Sequence, residues 1–271
     1  MIDFSTLQGL TIPEGVVTQI ADASGMVLWA VSGGKVILEV EKVTTNTYAN
    51  STTYSNESFV GISVRPKPNG IVKFTYGGLT KTITDTDANA NVFFGTFNGV
   101  SDEVETPASG ELTIEGDYYA FGSFVFNTDK STIAYAFCVT AVRSFGNITD
   151  IPANAFGNAS SYDFNPSVRL QQDIVIPSGV TSIGLNAFGG TAITSIILPA
   201  TLVELGGNVF VNCSALKSIT FLATTPPTLI GTDLFSGRLP PEGLKIIVPM
   251  GCGDAYKEAL SNHADYITEV G

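Results

Sequence analysis

The sequence predicts a mainly β protein in three parts: an N-terminal β-hairpin segment, an antiparallel β-sandwich, and a short repeat solenoid closed by a capping helix. Three observations lead there. Short apolar runs follow one another at close intervals, divided by Gly, Asn, Ser and Thr, and residues 35–145 hold no helical period. The 28 glycines and 17 phenylalanines among 271 residues favour packed strands and tight turns. Beyond residue 146 the pairs Ile151-Pro152, Ile176-Pro177 and Leu198-Pro199 are each followed by a Phe, at 156, 188 and 210.

Residues 1–31 form the first part. "VVTQIADASGMVLWAV" (16–31) reads as strand, Ala-Ser-Gly turn, strand, with Gly25 free to take positive φ. A hairpin of this size is marginal by itself in water. Ile20, Val27, Leu28 and Trp29 are therefore expected to pack on something, be it the following domain, another subunit or a larger particle, and we assign them to assembly. "VSGGK" (31–35) supplies a joint.

Residues 35–145 carry the sandwich pattern. "KVILEVEKV", "FVGISV", "NVFFGTF", "GELTIEG", "YYAFGSFVF" and "TIAYAFCVTAV" read as strands with turn residues between them. "IVKFTYGGLTKTIT" (71–84) is a hairpin signal, with Gly77-Gly78 between two alternating runs.

The third part, residues 146–271, repeats. "ITDIPANAFGN", "IVIPSGVTSIGLNAFGG", "IILPATLVELGGNVFVNCSALKSITF" and "TLIGTDLFSG" align under one another. Phe188 to Phe210 is a step of 22 residues, Phe210 to Phe235 one of 25, and Phe156 to Phe188 a longer one of 32. A Leu/Ile-rich period of this length marks a leucine-rich solenoid. Each turn of chain contributes a short strand, the Pro ends it, and inward residues such as Val180, Ile183 and Phe188 stack on their equivalents in the next coil.

These segments resemble the BspA-type leucine-rich repeat, most closely through "IVIPSGVTSIGLNAF" and "VFVNCSALKSITF". The resemblance implies a buried Cys213. It also implies that "IIVPMGCGDAYKEALSNHADYITEV" is a closing unit, a last strand followed by a short helix, for which Asp254 suits the N-cap. The N-terminal "IDFSTLQGLTIPEGVVTQIADASGMVLWAV" resembles segments of structural and tail-associated proteins of phages and prophages of gut Firmicutes.

Composition excludes several classes of function. A net charge of −12 repels a phosphate backbone, so nucleic acid is not an expected partner. The start "MIDFSTLQG" lacks the basic and apolar regions of a secretory signal, and "GMVLWAV" is too short to span a bilayer, so neither general export nor membrane insertion is expected. Three widely spaced cysteines, Cys138, Cys213 and Cys252, suit buried thiols rather than disulfides. With one histidine, His263, neither a zinc site nor a histidine-assisted nucleophile is expected, and His263 reads as an exposed or capping residue. Asp85, Asp87, Asn89 and Asn91 begin a calcium-loop ladder that then fails, with Ala90 at the glycine position and Thr96 at the glutamate position. The carboxylates of 101–117 read as a solvated loop.

The expected function is therefore binding or display, with no enzyme activity and no cofactor. The leading expectation is a phage or prophage virion component. It would hold other virion proteins through residues 1–31, oligomerise with itself, and present a domain that recognises a host-surface glycan or protein. The alternative is a bacterial cell-surface adhesin of the BspA type, and the third a carbohydrate-active enzyme. Candidate binding residues are Thr194 and Lys217 on the repeat strands, and the loop aromatics Tyr48, Tyr54 and Tyr162.

Overall fold

A computed structural model describes residues 19–21, 27–30, 35–46, 55–84, 90–97, 100–127, 133–136, 138–157, 170–231, 233–237 and 239–270. The chain is mainly β, as its composition predicts. β1 (Gln19–Ala21) and β2 (Val27–Ala30) pair antiparallel, with Ile20 opposite Trp29.

Among the described residues eleven strands follow: β3 (Val36–Glu41), β4 (Val43–Asn46), β5 (Ser55–Pro66), β6 (Ile71–Tyr76), β7 (Leu79–Thr84), β8 (Ala90–Phe97), β9 (Val100–Ser101), β10 (Ser109–Gly116), β11 (Tyr118–Asn127), β12 (Ile133–Ala136) and β13 (Val139–Phe145). They make two antiparallel sheets. One has the order β13-β3-β10-β6-β7; the other runs β12-β11-β5-β8-β9, with β4 also on β5. Alternation decides which side chains go inside. In β6, Val72, Phe74 and Tyr76 are buried while Ile71 and Lys73 face solvent. Gly77 and Gly78 both take positive φ between β6 and β7, as a two-residue primed turn requires.

The two sheets touch through large rings and one ion pair. Tyr76 of the first meets Phe94 of the second edge-on, with centroids 5.7 Å apart. Burial pushes the Tyr76 hydroxyl up to about 12, and it donates to the Pro107 carbonyl at 2.9 Å. Lys81 of β7 reaches across to Asp102 (2.6 Å) and donates to the Phe93 carbonyl (2.5 Å), lying over the Phe93 and Phe94 rings.

Among the described residues beyond β13 there are nine short strands: β14 (Asp150–Ile151), β15 (Ile174–Val175), β16 (Ser182–Ile183), β17 (Ser195–Leu198), β18 (Glu204–Gly206), β19 (Ser218–Phe221), β20 (Thr228–Ile230), β21 (Lys245–Pro249) and β22 (Ile267–Val270). They form two parallel ladders, β14-β16-β18-β20 and β15-β17-β19-β21-β22. Pairing puts Ile174, Ile196, Ile219, Ile246 and Ile267 in one column. Phe156, Phe188, Phe210 and Phe235 form a second column, with successive centroids 5.4, 6.1 and 6.2 Å apart. Each Phe amide donates to the carbonyl before the next Phe in that column, as Phe188 does to Val209 at 3.1 Å. Asn154, Asn186 and Asn208, two residues before three of these rings, turn the chain at φ 55–56°. Asparagine tolerates that left-handed geometry better than other residues with a Cβ.

The Phe column joins the antiparallel region. Phe156 meets Phe121 of β11 and Phe145 of β13 edge-on, at 5.8 and 6.1 Å. Gly122 lies under the first repeat turn, where a Cβ would come within 3.2 Å of both Ala155 and Pro152.

The closing unit departs from expectation in one respect. Helix α1 (Gly253–Ala259) has Cys252, not Asp254, at its N-cap, and no side chain of its own caps it. The cap comes from further along the chain. The Glu269 carboxylate in β22 accepts from Gly251 N (3.0 Å) and Gly253 N (2.7 Å), which holds its proton affinity below the usual 4.5. Asp254 sits in the first turn, where its charge suits the helix dipole.

His263 ends the Phe column, and contrary to the sequence expectation it is buried, only 3% exposed. It packs edge-on against Phe235 at 5.3 Å. Nε2 accepts from Leu234 N at 3.4 Å, while Nδ1 is buried without a partner. Burial lowers its proton affinity below the usual 6.5, and the nearby Asp233 only partly offsets this. The folded chain therefore resists binding a proton that the unfolded chain takes up. Its stability should be full above about pH 6.5 and fall progressively as the pH drops below it, with Glu269 adding a further loss below about 4.5. Urea unfolding at pH 7.5 and 5.5 checks this. His263→Gln should flatten the upper part of the profile.

Candidate functional site

The repeat strands bring two of the expected binding residues together. Ser195, Ser218 and Lys245 are aligned across β17, β19 and β21, so Thr194 and Lys217 occupy matching places just before their strands. Both are exposed. Both are also engaged: Thr194 Oγ1 donates to the Asp173 carboxylate at 2.8 Å, and Lys217 Nζ donates to the Glu242 carbonyl at 2.7 Å. Their backbones carry the ladder on, with Lys217 N donating to Thr194 O (2.8 Å) and Lys245 N to Lys217 O (2.9 Å).

Asp173 organises this edge, and the sequence reading did not single it out. Its carboxylate accepts from Thr194 N (2.9 Å), Ser195 N (2.7 Å) and the Thr194 hydroxyl. It caps the start of β17 much as an Asp caps a helix. A carboxylate just before an Ile-rich strand was the available signal. Asp173→Ala should lower stability by about 1–2 kcal/mol, since two amides lose a charged acceptor but stay near solvent. Chemical unfolding of the variant measures it, and Asp173→Asn should recover part of the loss.

Other expected site residues are placed less fully. Tyr48, Tyr54 and Tyr162 lie outside the described residues. Ile20, Val27, Leu28 and Trp29 lie in the β1–β2 pair, and their side chains are likewise outside the description. So are Asp85, Asp87 and Asn89 of the calcium-like stretch.

Among the described residues no three His, Cys, Asp or Glu side chains are grouped to hold a metal. Asp102 is held by Lys81, and Glu115 by Lys35 at 2.8 Å. The buried Cys213 thiol donates to the Phe188 carbonyl at 3.0 Å, and Cys138 accepts from Gly61 N at 3.3 Å; Cys252 is only half-buried. Among the described residues no helix is long and apolar enough to cross a membrane.

The C-terminal part is thus a repeating unit of parallel ladders one coil apart, with an Ile column, a Phe column and the buried Cys213. The family model described as the BspA type leucine rich repeat region (6 copies) matches residues 130–247, which supports the resemblance read from the motifs. No curated protein matches the chain.

Proposed function

We propose that this is a non-enzymatic recognition protein of the surface-adhesion type. In this reading the two antiparallel sheets form a β-sandwich over 35–145, and the parallel ladders of 146–271 form a short leucine-rich solenoid carried on it. The match to the BspA type repeat region is the observation that carries the proposal. The committed state of Thr194 and Lys217 supports placing the ligand on other exposed surfaces. Display on a bacterial cell surface is the location we propose. The virion reading rests on the N-terminal resemblance alone, so attachment to virion proteins through residues 1–31 has no second support. Glycan arrays and whole-cell binding with the intact chain test the proposal. Saturable binding without turnover of the bound material is expected. Absence of binding to any surface glycan or protein, or release of cleaved sugar, would overturn it.

A further inference from the structure

We propose that Arg65, Lys67 and Tyr119 form a binding site for a saccharide that carries a carboxylate, such as a uronic or sialic acid. The proposal rests on the recognition reading above and gives it a ligand class and a place off the repeat.

The site is built by a register shift. Tyr118 pairs with Pro66 and Ala120 with Arg65, so Tyr119 is the extra residue of a β-bulge in β11. Bulges re-aim side chains, and this one turns an aromatic ring outward, 37% exposed. Its backbone is in use, because the Tyr119 carbonyl accepts from Thr149 N at 3.2 Å. Arg65 and Lys67, two residues apart, point the same way. The guanidinium carbon lies 5.5 Å from the Tyr119 centroid and the Lys67 ammonium 5.8 Å.

The Arg65 side chain and the Lys67 backbone are held in place before any ligand arrives. Arg65 gives one Nη2 donor to Asp150 of β14, leaving its other N–H groups unengaged among the described residues. Lys67 sits in a turn pinned by Lys67 N to Asp117 O (2.9 Å) and Gly70 N to Lys67 O (2.8 Å). Lys35, Lys81 and Arg143 each rest on a carboxylate. Among the described residues Lys67 has no carboxylate partner and rests on the ring instead. A cation parked on a π-face gives up little to meet an anion.

The charge of the whole chain narrows the ligand. At −12, it repels a densely charged polyanion, which disfavours phosphate chains and acidic protein segments. One carboxylate on an otherwise neutral sugar escapes that penalty. Its planar oxygens match the guanidinium fork, and the sugar hydroxyls and C–H groups can lie against the tyrosine edge.

Titration calorimetry of the intact protein with galacturonate and with 3′-sialyllactose tests this, against galacturonate methyl ester, lactose, inorganic phosphate and hexaglutamate. At least one acidic sugar should bind, weaken with salt, and lose on the order of tenfold in affinity in both Lys67→Gln and Tyr119→Ala. Lys67 and Tyr119 are both exposed residues. Unchanged affinity in both variants, equal binding of the neutral sugars, phosphate or hexaglutamate, or no binding of either acidic sugar would overturn the site. Wild-type surface adhesion that persists at full strength in the variants would sink the site and leave the recognition function standing. Acidic-sugar binding by a protein that adheres to no surface would do the reverse.

Discussion

Replacing Phe210 with alanine is expected to destabilise the protein by about 3–5 kcal/mol. Phe210 is fully buried and lies between Phe188 and Phe235, 6.1 and 6.2 Å away. Removing its ring opens a cavity that flanking backbones cannot close, because the coils on either side are tied by Phe188 N to Val209 O and Phe210 N to Leu234 O. A short stack has few interfaces to share the loss, so the closing unit around His263 should loosen with it. Urea unfolding followed by circular dichroism gives the size of the effect. A loss below about 1 kcal/mol would mean that the column does not bear on stability as the geometry requires.

Gly206→Ala should give the second large effect, about 1–3 kcal/mol from overpacking alone. A Cβ at Gly206 would fall 2.5 Å from the Leu185 amide nitrogen and against the Gly184 carbonyl carbon, both backbone of the preceding coil. A side chain could rotate away; backbone in a parallel ladder cannot move without parting β16 from β18. Gly179→Ala is the control, since its Cβ would meet only the Ile148 carbonyl, at 3.2 Å. The same unfolding measurement applied to both should rank Gly206→Ala well above Gly179→Ala. Equal losses would show that coil spacing is not what the glycine serves.

The two substitutions show which signals sequence carries well. A repeated side chain is visible as a repeat, so Phe156, Phe188, Phe210 and Phe235 could be aligned by counting. Gly184 and Gly206 follow Ile183 and Leu205 in equivalent places, yet nothing in the letters says that one backbone lies on the next. The Asn at 154, 186 and 208 recurs just as regularly, but its work is done by backbone φ rather than by apolar burial, so apolar spacing does not reveal it.

Sequence alone determined the mainly β class, the hairpin at Gly77-Gly78 and the repeat register, because each depends on local spacing or on the alternation of apolar residues, while the burial of Cys213 followed from the family resemblance. The tertiary structure decided what joins residues distant along the chain. Glu269, not Asp254, satisfies the amides before α1; Asp173 caps the strand that starts a coil later; and His263 is buried at the end of the Phe column. It also decided that Tyr119 meets Arg65 and Lys67, through a bulge that shifts β11 by one residue against β5. Each of these depends on which strand lies beside which and in what register. That follows from the summed packing of the whole chain, and no short window of residues contains it.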